Sequence, residues 1–171
     1  TRHNAGFICI DILAEKYGIK INKLKFKSLL GEGRIEGKRC LLLKPQTFMN
    51  DSGAALREAA AFYRIPPERV VVFVDDTSLP CGRLRVRGKG SHGGHNGLKN
   101  IAELLGTEAF ARMRFGVGGD FPKGRQVDYV LGEFSDDENK AMPDRLKLFG
   151  DAILSCVCVG ADMTMNTYNK K

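Results

Sequence analysis

The stretch from Val70 to Leu98, VVVFVDDTSLPCGRLRVRGKGSHGGHNGL, constrains the fold more than any other part of the chain. Val70 to Val74 are an unbroken apolar run, the pattern of a strand buried on both faces, and the run ends abruptly in Asp75 and Asp76. In open α/β sheets ligands bind beyond the carboxyl ends of strands, so an acid at that point is a site candidate. After a turn carrying Pro80 and Gly82, Arg83, Arg85 and Arg87 alternate with Leu84 and Val86. Side chains alternate faces along a strand, so the three arginines share one face and the apolar pair takes the other. Gly88, Gly90, Gly93 and Gly94 then surround His92 and lead to His95-Asn96 at the expected start of a helix. A buried-strand acid, a basic rail and histidines therefore follow one another closely.

The 171 residues suit one domain with a proper core. No apolar run is long enough to span a bilayer, and no signal-peptide pattern is visible, so no membrane association is expected. Lys and Arg total 27 against 20 for Asp and Glu, a net charge of +7 that hints at a polyanionic partner. The clustering of charge at Arg83 to Lys89 is the better sign of one. Five scattered cysteines read as reduced thiols of a cytoplasmic protein.

Upstream, Phe7, Ile10, Leu13 and Tyr17 fall at helical spacing, Gly18 stops the helix, and His3-Asn4 lie just ahead of it. Lys23, Lys25 and Lys27 alternate with Leu24 and Phe26 in a second, weaker basic strand. Gly31 to Gly37 reads as a turn, and Arg39 to Leu43 as a short buried strand. Asp51 or Ser52 should cap a helix running to Tyr63, which puts Asn50 at another strand-to-helix junction. Downstream, Arg112 and Arg114 share one face of a strand, and Asp128 to Leu131 suggest a short helix. Ser135 to Glu138 carry a capping-box signature ahead of a final helix that Pro143 should kink or restart.

Several motifs compete. Thr1 resembles an N-terminal nucleophile but has no supporting pattern. Gly88-x-Gly90-x-x-Gly93 matches a dinucleotide fingerprint, yet it follows an arginine-studded strand, where the motif wants one buried on both faces. His92 and His95 have a metal-like spacing without a nearby acid or cysteine. The remaining pattern is richer. Asn50, Asp75 and His95-Asn96 each follow a short strand, and His3 can join them. Histidine backed by a carboxylate is a general base for neutral pH, and amides can hold an oxyanion or a water. With no serine or cysteine in an elbow, water is the natural nucleophile. The residues alone thus point to hydrolysis of an activated acyl group on a nucleic acid.

TRHNAGF at 1–7, KPQTFMNDSG at 44–53, the DD-x-x-LP-x-G run at 75–82 and GSHGGHNGL at 90–98 closely resemble bacterial-type peptidyl-tRNA hydrolases. RMRFGVG at 112–118 and VDYVLGEF at 127–134 extend the likeness. The resemblance implies a single three-layer α/β domain over residues 1–171, a mixed and mostly parallel sheet flanked by helices. It implies cleavage of the ester between a peptidyl group and the terminal ribose of tRNA. His3 would be the base that activates water, Asp75 would orient it and favour its charged form, and Asn50 and Asn96 would hold substrate and water. Met49, Phe48, His95 and Asn4 would contact the peptidyl end, and Arg85, Arg87 and Arg114 the tRNA phosphates. No metal or cofactor is implied, and tRNA is the expected partner of a monomer.

Two departures stand out. The family's first strand and Gly-Leu-Gly-Asn-Pro-Gly loop are missing ahead of TRHN, so an N-terminally incomplete domain of reduced stability and activity is expected. Thr77-Ser78 in DDTSLP is similar to organellar relatives that act in intron splicing, which makes a non-catalytic RNA binder the main alternative. A nucleotide-dependent enzyme is the second.

Overall fold

The computed structural model describes residues 1–169, and its six strands fall into two three-stranded sheets. The first is an antiparallel meander of β1 (Lys23–Lys25), β2 (Ser28–Ile35) and β3 (Lys38–Pro45). Its two connections are two-residue turns with positive φ at both positions, Phe26-Lys27 at 54° and 53° and Glu36-Gly37 at 49° and 79°. That geometry matches the right-handed twist of paired strands. The turn expected over Gly31 to Gly37 is therefore confined to its last two residues. Gly31 and Gly33 lie inside β2 instead, because Ile19 packs on them; a Cβ on Gly31 would stand 2.9 Å from Ile19 Cγ2.

The second sheet has the order β4 (Val71–Asp76), β6 (Ala111–Gly116), β5 (Leu84–Arg87). β5 and β6 are antiparallel. Ala111 N donates to the Val70 carbonyl at one end of β4 (3.1 Å), and Val117 N to the Asp76 carbonyl at the other (3.0 Å), so β4 and β6 run the same way. Mixed pairing and flanking helices agree with the α/β class. The strands are shared between two sheets, however, and antiparallel pairs outnumber the parallel one because tight hairpin turns join the meander.

The chain divides into two compact units. One comprises Thr1–Cys9, Val72–Arg87 and the chain from Arg112; the other comprises Ile10–Val71 and Gly88–Ala111. In the first, α5 (Asp136–Val159) presents Phe149 to Phe73 and Phe115, with edge-to-face rings at 5.8 and 5.5 Å. Burial of one such ring stabilises by about 2 kcal/mol. α5 starts with the expected capping box and continues past Pro143, forgoing the single amide donor that proline lacks. The break falls at Gly160 (φ 89°), before α6 (Ala161–Tyr168). The same unit holds the start of α1 (Ala5–Lys16) and α4 (Gln126–Leu131). In the second unit, α2 (Ser52–Tyr63) and α3 (Asn96–Leu105) pack together where Gly53 N donates to Asn100 Oδ1 at 2.6 Å. Among the described residues no helix is long and apolar enough to cross a membrane.

Candidate active site

His3 lies in a short 3-10 turn, Arg2–Asn4, that leads into α1, and Asn4 is exposed beside it. Its Nδ1 is 2.8 Å from both Oδ1 and Oδ2 of Asp75, the penultimate residue of β4. The Asp75 side chain is 4% exposed and that of His3 20%, so the acid is sequestered behind the ring. A carboxylate can only accept, so Nδ1 carries the hydrogen and, in the neutral ring, Nε2 carries the lone pair. The acid at the end of the buried strand and the histidine ahead of the first helix are thus brought together.

The turn bearing His3 is held by its neighbour. Arg2 N donates to the Gly132 carbonyl (3.0 Å), and its guanidinium pairs with Glu138 (3.1 Å) and lies 4.2 Å over the Tyr129 ring. Tyr129 in turn donates its hydroxyl to the Val117 carbonyl at 2.7 Å. Burial raises the Tyr129 phenol above its ordinary pKa of 10.0, although Arg2 pulls it down. Burial, and then the charge of Glu138, likewise raise the Cys81 thiol above 9.0, which makes it a poor nucleophile at neutral pH.

Asp76 serves a different purpose from Asp75. Its Oδ1 accepts from Ser78 N (2.8 Å) and Ser78 Oγ (2.6 Å), which closes the turn after β4 and gives Ser78 a local structural role. Its Oδ2 is 3.6 Å from Arg114 Nη1. In the β5–β6 register Arg85 faces Arg114 and Arg87 faces Arg112, so these four arginines occupy one face of the sheet. Arg85 is exposed and Arg87 half-buried on the edge strand, whereas Arg112 and Arg114, on the central strand, are 1% and 9% exposed. Arg114, which the resemblance assigns to tRNA phosphate, lies beside Asp76 and is less accessible than Arg85 because β6 has a neighbour on each side.

In the other unit, Phe48 is 86% exposed ahead of a 3-10 turn, Met49–Asp51, that carries Asn50 on its exposed side. Ser52 does not cap the following helix; its Oγ donates to the Met49 carbonyl at 2.8 Å and steadies that turn. His95 is the N-cap of α3, its Nδ1 accepting from Leu98 N at 3.2 Å, so the proton of the neutral ring lies on Nε2. Asn96 follows as the exposed first residue of the helix. Gly97 allows Met49 and His95 to approach the helix, since a Cβ there would be 2.8 Å from Met49 Sδ and 2.9 Å from His95 Cε1. The Gly88-x-Gly90-x-x-Gly93 run follows an edge strand antiparallel to its neighbour, which is not the opening of a βαβ nucleotide site.

Sequence reasoning missed Arg2, Gly97, Asn100 and Tyr129. Arg2 and Gly97 lie beside singled-out residues, within TRHN and GGHNGL, but nothing in their spacing identifies the atoms they meet.

A family model for peptidyl-tRNA hydrolase matches residues 1–171. The match gives no support to the expectation of an N-terminally incomplete domain. Peptidyl-tRNA hydrolase of Clostridium botulinum (strain Kyoto / Type A2) is 50% identical over 169 residues, 99% of this chain and 88% of the relative. That of Thermoanaerobacter sp. (strain X514) is 47% identical, covering 99% and 91%. The solved structure of peptidyl-tRNA hydrolase from Acinetobacter baumannii superposes with a TM-score of 0.92 at 36% identity, covering 99% of this chain and 86% of that one. The fold, the paired histidine and aspartate and these likenesses agree: the chain belongs to the peptidyl-tRNA hydrolase family.

Proposed function

We propose that this hydrolase cleaves the ester between a peptidyl, or other N-blocked aminoacyl, group and the 3′-terminal ribose of tRNA, with His3 as general base. One observation supports the assignment of the base: Nδ1 of His3 lies 2.8 Å from both oxygens of the buried Asp75 carboxylate, which puts the hydrogen on Nδ1 and the lone pair of the neutral ring on Nε2. Nε2 takes a proton from water as the water oxygen attacks the ester carbonyl. The tetrahedral oxyanion collapses, the carbon–ribose oxygen bond breaks, and the ribose oxygen leaves with the proton returned by His3. Asp75 stabilises the imidazolium that exists between the two transfers.

Asn50 and Asn96 supply amide donors for the oxyanion and the water, while Met49, Phe48, His95 and Asn4 contact the peptidyl group. Arg85 and Arg87 meet tRNA phosphates, with Arg114 adding charge behind them. Water, an imidazole base and amide donors suffice for this chemistry without a metal or cofactor. We take residues 1–171 as one catalytic domain acting as a monomer, in the cytoplasm, where the free cysteines Cys9, Cys40, Cys81, Cys156 and Cys158 suit a reducing medium.

Release of a labelled N-acetylaminoacyl group from tRNA tests the reading. His3→Ala should lower kcat by about 10²–10⁴-fold, the usual worth of a positioned base, with tRNA binding retained. Turnover that survives the substitution would remove His3 from the role. Absence of turnover in the parent chain, with tRNA still bound, would favour the non-catalytic RNA binder.

A further inference from the structure

We propose that Asn169 is a positioning residue for the tRNA grip: its carboxamide braces β5 and thereby holds Arg85 and Arg87 in place. The inference rests on the reading that these two arginines meet tRNA phosphates.

β5 is an edge strand, so one side of its backbone has no strand partner within the sheet. Val86 is the residue whose polar groups point that way. Its N–H donates to Asn169 Oδ1 at 2.7 Å, and its carbonyl accepts from Asn169 Nδ2 at 3.0 Å. A primary amide offers the same acceptor and donor as a peptide unit, so Asn169 replaces one rung of a missing strand. Val86 is completely buried, and these backbone groups therefore lack water as an easy substitute.

Two features connect this rung to the arginines. Val86 lies between Arg85 and Arg87, and the Val86 carbonyl also accepts from Arg87 Nη1 at 3.0 Å. Asn169 and the Arg87 guanidinium thus share one oxygen. In addition, Arg85 faces Arg114 and Arg87 faces Arg112 across β5 and β6. The rung at Val86 therefore fixes the strand position from which both arginine side chains leave.

The brace has a fixed base. Asn169 ends α6, its N–H bonded to the Met165 carbonyl at 3.1 Å. α6 is tied back onto α5 through the fully buried Thr164, whose Oγ1 donates to the Gly160 carbonyl and is 2.8 Å from Ser155 Oγ.

The test compares Asn169→Ala, Asn169→Asp and Arg87→Ala in the full chain, reading kcat, KM and the salt dependence of tRNA binding. Asn169→Ala should raise KM by roughly tenfold with kcat within about twofold, and should flatten the salt slope in the manner of a lost phosphate contact. Asn169→Asp, which keeps the acceptor but loses the donor to the Val86 carbonyl, should behave alike. Thr164→Val, which loosens α6 without touching β5, should move KM the same way by less, and it serves if Asn169→Ala does not fold.

A purely structural role would lower the active fraction while leaving KM and the salt slope alone, and that result would overturn the proposal. A flattened slope in Arg87→Ala with an unchanged one in the Asn169 variants would do the same. An unchanged slope in Arg87→Ala would remove the phosphate reading beneath it.

Discussion

Arg2 and Glu138 are joined 3.1 Å apart, Nη2 to Oε2, and the same carboxylate oxygen accepts the Ser135 N–H at 2.7 Å. The first turn of the chain is thereby fastened to the capping box of α5, far away in sequence. His3 is the next residue along that turn, and its ring position depends on where the turn is held.

Arg2→Met keeps an apolar side chain of similar reach and removes the guanidinium that binds Glu138 and lies over Tyr129. The expected outcome is a fall in kcat of about tenfold with KM nearly unchanged, because a base displaced by a fraction of an ångström still leaves the binding groups in place. Arg2→Lys should recover part of the loss, having the charge without the planar fork. Nitrogen NMR of the His3 ring provides a direct check: the Nδ1–H tautomer should be less populated in Arg2→Met. An unaltered tautomer and kcat would show that the turn is held well enough without Arg2.

What the sequence disclosed and what it hid differ in physical kind. The β4 strand, its terminal acids and the start of α3 at Asn96 were legible because local pattern alone determines them. The Arg85/Arg87 alternation was legible for the same reason, since Leu84 and Val86 must be buried together. The fate of Arg114 was not. Whether an alternating arginine is exposed depends on whether its strand is central or at an edge, and strand order is a long-range property. Gly31 and Gly33 misled for a related reason, reading as turn residues when the chain needed them to admit Ile19. The pairing of His3 with Asp75 spans 72 positions and carries no periodic signal; residue types and family likeness suggest the two, and only the folded chain specifies the atoms that meet.

Gly97 sets how closely Met49 and His95 approach α3. Gly97→Ala would improve helix propensity by up to about 1 kcal/mol, but the new methyl would meet Met49 Sδ at 2.8 Å and the His95 ring at 2.9 Å. Met49 can move by rotating a flexible side chain, so the fold should survive with its melting temperature little changed. The displaced side chains belong to the proposed peptidyl contacts, and KM for the N-blocked substrate should rise several-fold. A substantial drop in melting temperature with unchanged KM would instead make the close approach a matter of packing alone.

Cys9, buried in α1, gives the chain an alkaline weakness. Burial pushes its thiol from 9.0 up to about 12. Below pH 9 the folded and unfolded chains both hold the proton, and the group contributes nothing to the pH dependence. Between pH 9 and about 12 the unfolded chain releases it while the folded chain retains it, so stability falls as pH rises, by roughly 1.4 kcal/mol per pH unit from this thiol. Cys40, Cys81 and Cys156, also raised by burial, add to the trend. Urea midpoints at pH 8 and pH 10 should therefore differ more for the parent than for Cys9→Ala, with the variant slightly less stable at the lower pH from the lost packing. Equal losses in the two proteins would remove Cys9 as the source of the alkaline weakness.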